Sequence, residues 1–182
     1  VDTIADGTAV KTPGENIFPY LQQNLDDIIT IEDDELIVAF LDVLENHKLL
    51  VENSGLLTVA ALKHLPAENK KVVSILSGGN MDIITLSSVV QNGLIQRSRI
   101  FTVSVRLPDV PGQLNKVSKV IADANGNVIK LEHNQFISVN RNSSVELIIT
   151  MEAFGEDHKR SIIQALRDAG FAPEERNPRA LY

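Results

Sequence analysis

Ser77-Gly78-Gly79 closes an apolar run, Lys71-Val-Val-Ser-Ile-Leu76, and this pairing can hold a ligand. In open α/β sheets small molecules bind beyond the carboxyl ends of strands, and glycines admit a flat or anionic group that a Cβ would exclude. Ser77 adds one directed hydrogen bond. The same three residues also make an ordinary turn. A second constellation is Asp109-Val110-Pro111-Gly112-Gln113-Leu114. A helix beginning there offers free amides to a carboxylate, Asp109 can hold an ammonium, and Gln113 and Leu114 line the same spot. Without a ligand, Asp109 and Pro111 simply shape and cap the turn.

Other chemistries are excluded early. There is no cysteine, hence no disulfide framework, thiolate nucleophile or cysteine metal site, and a cytoplasmic origin is permitted. His47, His64, His133 and His158 never fall at metal-ligand spacing, so no metal site is expected, and His133 reads as an interface or strand-end residue. A net charge of -7 with no dense Lys/Arg stripe argues against a nucleic-acid partner. No apolar run approaches the ~20 residues of a membrane helix.

The elements that must position these residues follow from periodicity. Asn16 caps a helix over Ile17 to Leu25 with Pro19 in its first turn, and Ile28 to Ile31 reads as a short strand. Acids at 32–35 open a helix from Asp33 to His47, whose Ile37, Phe40, Leu41 and Leu44 recur on one face. Leu49 to Val51 is a brief strand, Ser54 to Leu65 a helix stopped by Pro66, and Lys71 to Leu76 a buried parallel strand. Met81 to Asn92 is a helix with Asn80 as its cap and Gly93 as its stop. This alternation is α/β, with strands too few for a self-sufficient sheet, so the remainder is expected upstream of Val1.

After Arg97-Ser98-Arg99 the pattern changes. Strands over Ile100 to Arg106, Asn127 to His133 and Ser144 to Glu152, helices over Gly112 to Ala124 and Asp157 to Ala169, and a last strand near Phe171 to Glu174 give βαββαβ. That order predicts a ferredoxin-like α+β sandwich, with a hairpin turn at Arg141-Asn-Ser143.

Three motifs stand in a telling order: Thr3-Ile-Ala-Asp-Gly-Thr-Ala-Val10, Leu49-Leu-Val-Glu-Asn-Ser-Gly55 and Ser77-Gly-Gly-Asn80. Over about residues 1 to 92 the chain resembles the end of the catalytic domain of threonine and serine dehydratases, pyridoxal-phosphate enzymes of the tryptophan-synthase-β fold type. Serine racemase looks similar. The resemblance implies that Ser77 meets the cofactor ring nitrogen, where a neutral hydroxyl suits β-elimination, and that Gly78 and Gly79 give the ring room. It brings Glu52 near the ring, although a solvated helix-start acid is an equal reading, and Asn53 stands where the family has glycine or proline. Asp6-Gly7 matches a turn near the cleft, or is a common turn. The family's Ser-x-Lys-x-Arg-Gly lysine and glycine-rich phosphate loop do not occur in this sequence, and Lys11, Lys48, Lys63, Lys70 and Lys71 read as surface charges. No catalytic residue is therefore expected within this chain, no cofactor is expected on it alone, and in isolation it should be inactive.

Residues 99 to 175 resemble an ACT domain, with Asp109, Pro111 and Gly112 in that family's Asp-x-Pro-Gly loop and Asn127 at its Gly-x-Asn asparagine; Asn125 replaces the usual glycine. The resemblance implies an effector site at Asp109, Val110, Pro111, Gly112, Gln113, Leu114 and Asn127, an amino-acid effector, with a branched-chain type as the candidate, and a homodimer formed through the ACT domain. The expected division is an incomplete catalytic domain over 1–96 and a regulatory domain over 97–182. The expected whole is the carboxyl-terminal part of a threonine dehydratase, which would need a missing N-terminal catalytic segment. The rivals are a non-enzymatic amino-acid-binding or assembly module, and a serine dehydratase or racemase fragment.

Overall fold

The computed structural model describes residues 2–66, 69–135 and 145–177, and the chain divides into two compact units, Val1–Gly93 and Leu94–Tyr182.

In the first unit α1 (Phe18–Asn24) begins with Pro19 in its first turn, but its N-cap position is Ile17 and not Asn16. Helix α2 (Asp33–Asp42) starts with a reciprocal box, the Glu32 and Glu35 side chains each accepting the other's backbone amide, and continues as a wider turn over Val43–His47. It buries Leu36, Ile37, Phe40 and Leu41, which form the core with Val51, Leu56 and Val89. A helical stretch from Asn53 to His64 has α geometry only over α3 (Leu57–Ala60), flanked by tighter turns.

Three strand expectations fail here. Ile28 to Ile31, Leu49 to Val51 and Lys71 to Leu76 are all irregular, and the last is exposed, with Val73 89% and Ile75 72% accessible. A strand needs a hydrogen-bonding neighbour, and among the described residues of this unit none is offered. The segment is tethered by side chains instead: the Thr58 hydroxyl donates to the Ile75 carbonyl at 2.9 Å, and the Ser74 hydroxyl to the Thr58 carbonyl at 3.3 Å.

The helix expected at Met81 to Asn92 is α4 (Ile83–Gln96), and two details are corrected. Its cap is Asp82, whose Oδ1 accepts the amides of Ile84 at 2.9 Å and Thr85 at 3.0 Å, not Asn80. Gly93 does not stop it. This residue is buried inside the helix, where an added Cβ would lie 2.5 Å from Leu41 Cδ1, so its smallness serves packing against α2.

The second unit is βαββαβ, as expected. Strands β1 (Ile100–Leu107), β2 (Asn127–Asn134), β3 (Val145–Glu152) and β4 (Pro173–Arg176) form one antiparallel sheet in the order β2-β3-β1-β4. Ile100 pairs with Glu152 and Leu107 with Val145, so β1 and β3 match end to end. Helices α5 (Gln113–Asp123) and α6 (Glu156–Asp168) cover one face, burying Val117, Ile121, Ile162 and Leu166 against Val103, Val105, Leu147 and Ile149. On the other face the Thr102 and Thr150 hydroxyls meet at 2.9 Å. Asn125 takes the left-handed φ of +58° after α5, a conformation asparagine tolerates, so the missing glycine leaves the turn intact. The hairpin turn at Arg141 to Ser143 lies outside the described residues.

Candidate functional site

Within the first unit the three motifs are brought together. The Glu52 amide donates to the Gly78 carbonyl at 3.2 Å, and the Asn53 side-chain amide donates to the Ile4 carbonyl at 2.9 Å. A Cβ on Gly55 would collide with the Ser77 carbonyl, and one on Gly78 with the Glu52 carboxyl group. Gly78 also holds a left-handed φ of +74°, so both space and conformation require glycine there. Gly79 is looser, its nearest neighbour being the Leu50 carbonyl at 3.6 Å from an added Cβ.

The side chains differ in role. Ser77 is exposed, and its hydroxyl has no hydrogen-bond partner among the described residues. Glu52 is half-buried across Gly78. Asp6 accepts the Gly7 amide at 2.8 Å, a turn-shaping bond. Sequence reasoning passed over the two atoms that most need explanation. Asn53 Oδ1 and Ser54 Oγ are buried and unpartnered, and Ser54 Oγ would lie 2.8 Å from a Cβ on Gly7. Buried oxygens without a partner among the described residues are costly, by about 1–3 kcal/mol each. Their signal in the sequence was Asn53, standing where glycine or proline was expected.

The second unit places the loop at 109–114 around a cavity of about 290 Å³. Asp109, Val110, Pro111, Gly112, Gln113 and Leu114 all line it, closed below by Leu107, Val145 and Leu147. Gly112 is the N-cap position of α5 at φ +88°, which turns the chain so that the first helical amides face the loop. Asn127 is not part of this cavity. It pairs with Glu152 at the far end of the sheet and donates to that carboxylate at 2.7 Å, so the expected effector set is not assembled within one chain. His133 and Gln135, from the end of β2, and Pro108 complete the wall. His133 stands two residues beyond Leu131, which packs on the core, so strand alternation carries it to the helix-bearing face. Neither Asp109 nor His133 has a side-chain partner among the described residues.

Three carboxyls, the exposed Asp82 and Glu156 and the half-buried Glu35, are held below their ordinary values. The Thr85 hydroxyl and amide lower Asp82, the Glu32 backbone and then His64 lower Glu35, and the Ser98 hydroxyl and then Arg160 lower Glu156. Among the described residues no group of three His, Cys, Asp or Glu side chains could hold a metal, and no helix is long and apolar enough to cross a membrane.

Residues 1–78 match the family described as pyridoxal-phosphate dependent enzymes, and residues 101–171 match the ACT domain. The chain thus carries a segment of the first kind followed by an ACT domain, whose four-stranded sheet has the ferredoxin-like order. An L-threonine ammonia-lyase of Geobacter sulfurreducens is 36% identical over 171 residues, covering 93% of this chain and 42% of that protein. A namesake in Thermotoga maritima is 29% identical over 170 residues, with the same coverage of 93% and 42%. A biosynthetic L-threonine dehydratase of Haemophilus influenzae is 31% identical over 179 residues, 96% of this chain and 34% of the relative. The chain therefore spans about two fifths of the length of the first two relatives, 42% in each case.

Toward a flat ring the cluster in the first unit offers the free Ser77 hydroxyl and a small-residue cradle, while the family's lysine and phosphate loop are not among this chain's residues.

Proposed function

We propose that this chain is the carboxyl-terminal part of a cytoplasmic, biosynthetic threonine ammonia-lyase, with residues 1–96 closing the catalytic domain and 97–182 forming an amino-acid-responsive regulatory domain. The observation that carries this reading is the convergence of Asp6-Gly7, Glu52-Asn53-Ser54-Gly55 and Ser77-Gly78 on one small-residue cradle with two orphaned oxygens. The names of the relatives support threonine over serine as the substrate of the whole protein.

When bound, pyridoxal phosphate supplies the electron sink that lets the α-proton and then the β-hydroxyl leave the substrate. This chain's residues would grip its nitrogen edge. The Ser77 hydroxyl would donate to the ring nitrogen, a neutral partner that would leave the nitrogen unprotonated and moderate the sink. Gly78 and Gly79 let the backbone lie close to the ring. Glu52 would border the same edge. None of these residues moves the α-proton, so the chain by itself is inactive and requires an N-terminal segment bearing the lysine and the phosphate loop. That segment would also supply the neighbour that makes Lys71 to Leu76 a strand.

In the second unit the loop cavity takes an α-amino acid. The first amides of α5 face its carboxylate, Asp109 its ammonium, and Val110, Leu114 and Leu147 a branched aliphatic side chain. Strand β2, eight residues long on the sheet edge, is the surface through which two copies would pair, with Val128 and Ile129 exposed on it.

The test is 2-oxobutanoate release from L-threonine with added pyridoxal phosphate, measured on this chain and on one extended upstream in its gene. The extended chain alone should turn over. Turnover by the short chain, or a start codon at Val1, would sink the fragment reading and leave a stand-alone binding or assembly module.

A further inference from the structure

Helix α5 spans the length of the ACT sheet. Its first residues, Gln113 and Leu114, frame the loop cavity, and its final carbonyl, that of Ala124, lies at the opposite end, where β1 begins. There the Ala124 carbonyl accepts a hydrogen bond from His158 Nε2 at 2.8 Å, while His158 Nδ1 accepts the Phe154 amide at 3.0 Å. One imidazole, accepting on Nδ1 and donating from Nε2, thus ties the end of α5 to the corner between β3 and α6. The exposed Phe154 ring stacks on it at 4.8 Å between centroids.

The same corner grips the connector between α4 and β1. The Ser98 hydroxyl donates to Glu156 Oε2 at 2.5 Å, and the Ala153 amide donates to the Arg99 carbonyl at 2.9 Å. Ser98 is 9% exposed and holds a left-handed φ of +52°, a conformation serine seldom adopts, so the bonds on either side of it must keep it there. The bond from Ser98 holds the Glu156 carboxyl below its ordinary value, so the acceptor stays ionised at neutral pH.

We propose that α5 and His158 form a mechanical link through which occupancy of the loop cavity is transmitted to the connector at Arg97–Arg99. This rests on the reading of the cavity as an effector site. A ligand carboxylate drawn to the first amides of α5 acts along the helix axis, and a packed helix responds as a rigid body. Displacement at Ala124 must be taken up by His158, then by the corner, then by the Ser98–Glu156 latch, whose released state is the alternative that a ligand can favour or suppress.

Hydrogen exchange resolved by segment tests the link, with L-isoleucine and L-valine as probes. In the wild type a bound probe should change exchange at 110–114 and at 97–100 together, by about tenfold. In His158→Phe, which keeps the aromatic stack and removes both hydrogen bonds, the probe should act on 110–114 alone. Glu156→Gln should speed exchange at 97–100 without touching 110–114. Probe-induced protection that never reaches 97–100 in the wild type, or that reaches it equally in His158→Phe, overturns the link. If neither amino acid protects the loop, the effector reading fails separately and the link is judged by the variant alone. His158→Phe without ligand must then alter exchange at both ends of α5, and acceleration confined to 153–158 refutes it.

Discussion

Val73 and Ile75 in the first unit, and Val103 and Val105 in the second, are drawn from the same β-branched alphabet, yet the first pair is 89% and 72% exposed and the second 0% and 0%. The second unit supplies its own partners: β1 lies between β3 and β4, and two helices close its apolar face. In the first unit the equivalent run is held, among the described residues, by side-chain tethers from Thr58 and Ser74. The difference teaches that β propensity describes how a residue fits a half-buried pleated surface, and without that surface it specifies nothing.

Substitution at the two kinds of site should expose this contrast most sharply. Leu147→Ala, at a fully buried position of β3, should cost about 2–5 kcal/mol, while Val73→Ala should stay within about 0.5 kcal/mol. Segment-resolved hydrogen exchange in urea measures both, and equal losses would mean that Val73 is covered after all. If upstream sequence is restored and Val73 becomes buried in a sheet, the same substitution should rise toward the cost of a core deletion.

The glycines give a second, smaller comparison. Gly78 and Gly112 both hold positive φ, but an added Cβ meets the Glu52 carboxyl at the first and nothing within 4 Å at the second. Gly112→Ala should therefore cost about 1 kcal/mol of backbone strain, and Gly78→Ala distinctly more, because Glu52 must move as well. Thermal unfolding of the two variants orders them. A Gly78→Ala no worse than Gly112→Ala would show that Glu52 yields freely.

The smallest expected effect concerns acid. Glu35, Asp82 and Glu156 have folded values depressed below 4.5, 3.8 and 4.5 respectively, so each contributes stability that is fully present above its ordinary value and is lost as pH falls through the folded one. The stability these three groups contribute should therefore decline below about pH 4.5, and Glu156→Gln should flatten part of that decline in the second unit while leaving the first unchanged. An unaltered acid limb in this variant would remove the Ser98–Glu156 bond from the account.

Much of the second unit was legible because its interactions repeat locally. Alternation along β1 and β3, amphipathic spacing in α5 and α6 and the Pro111-Gly112 turn all carry their own signals, and each element fell within a residue or two of its expected place. Asn127 was not legible, because motif spacing along a chain does not say which end of a strand faces which loop. In the first unit, helices were readable from Leu36, Ile37 and Phe40 on one face, but Asp82 displaced Asn80 as the cap and Gly93 proved to be a packing residue.

Periodicity, then, indicated by itself the helices and the βαββαβ order, and motif resemblance the loop at 109–114 and the glycine motifs of the cradle, because those depend on residues near one another in sequence. Tertiary structure alone decided which motifs meet, that Asn53 and Ser54 carry orphaned oxygens, that His133 joins the loop cavity, and that Lys71 to Leu76 stays unpaired. Those outcomes turn on burial and on partners distant along the chain, and neither is written in any local pattern of residues.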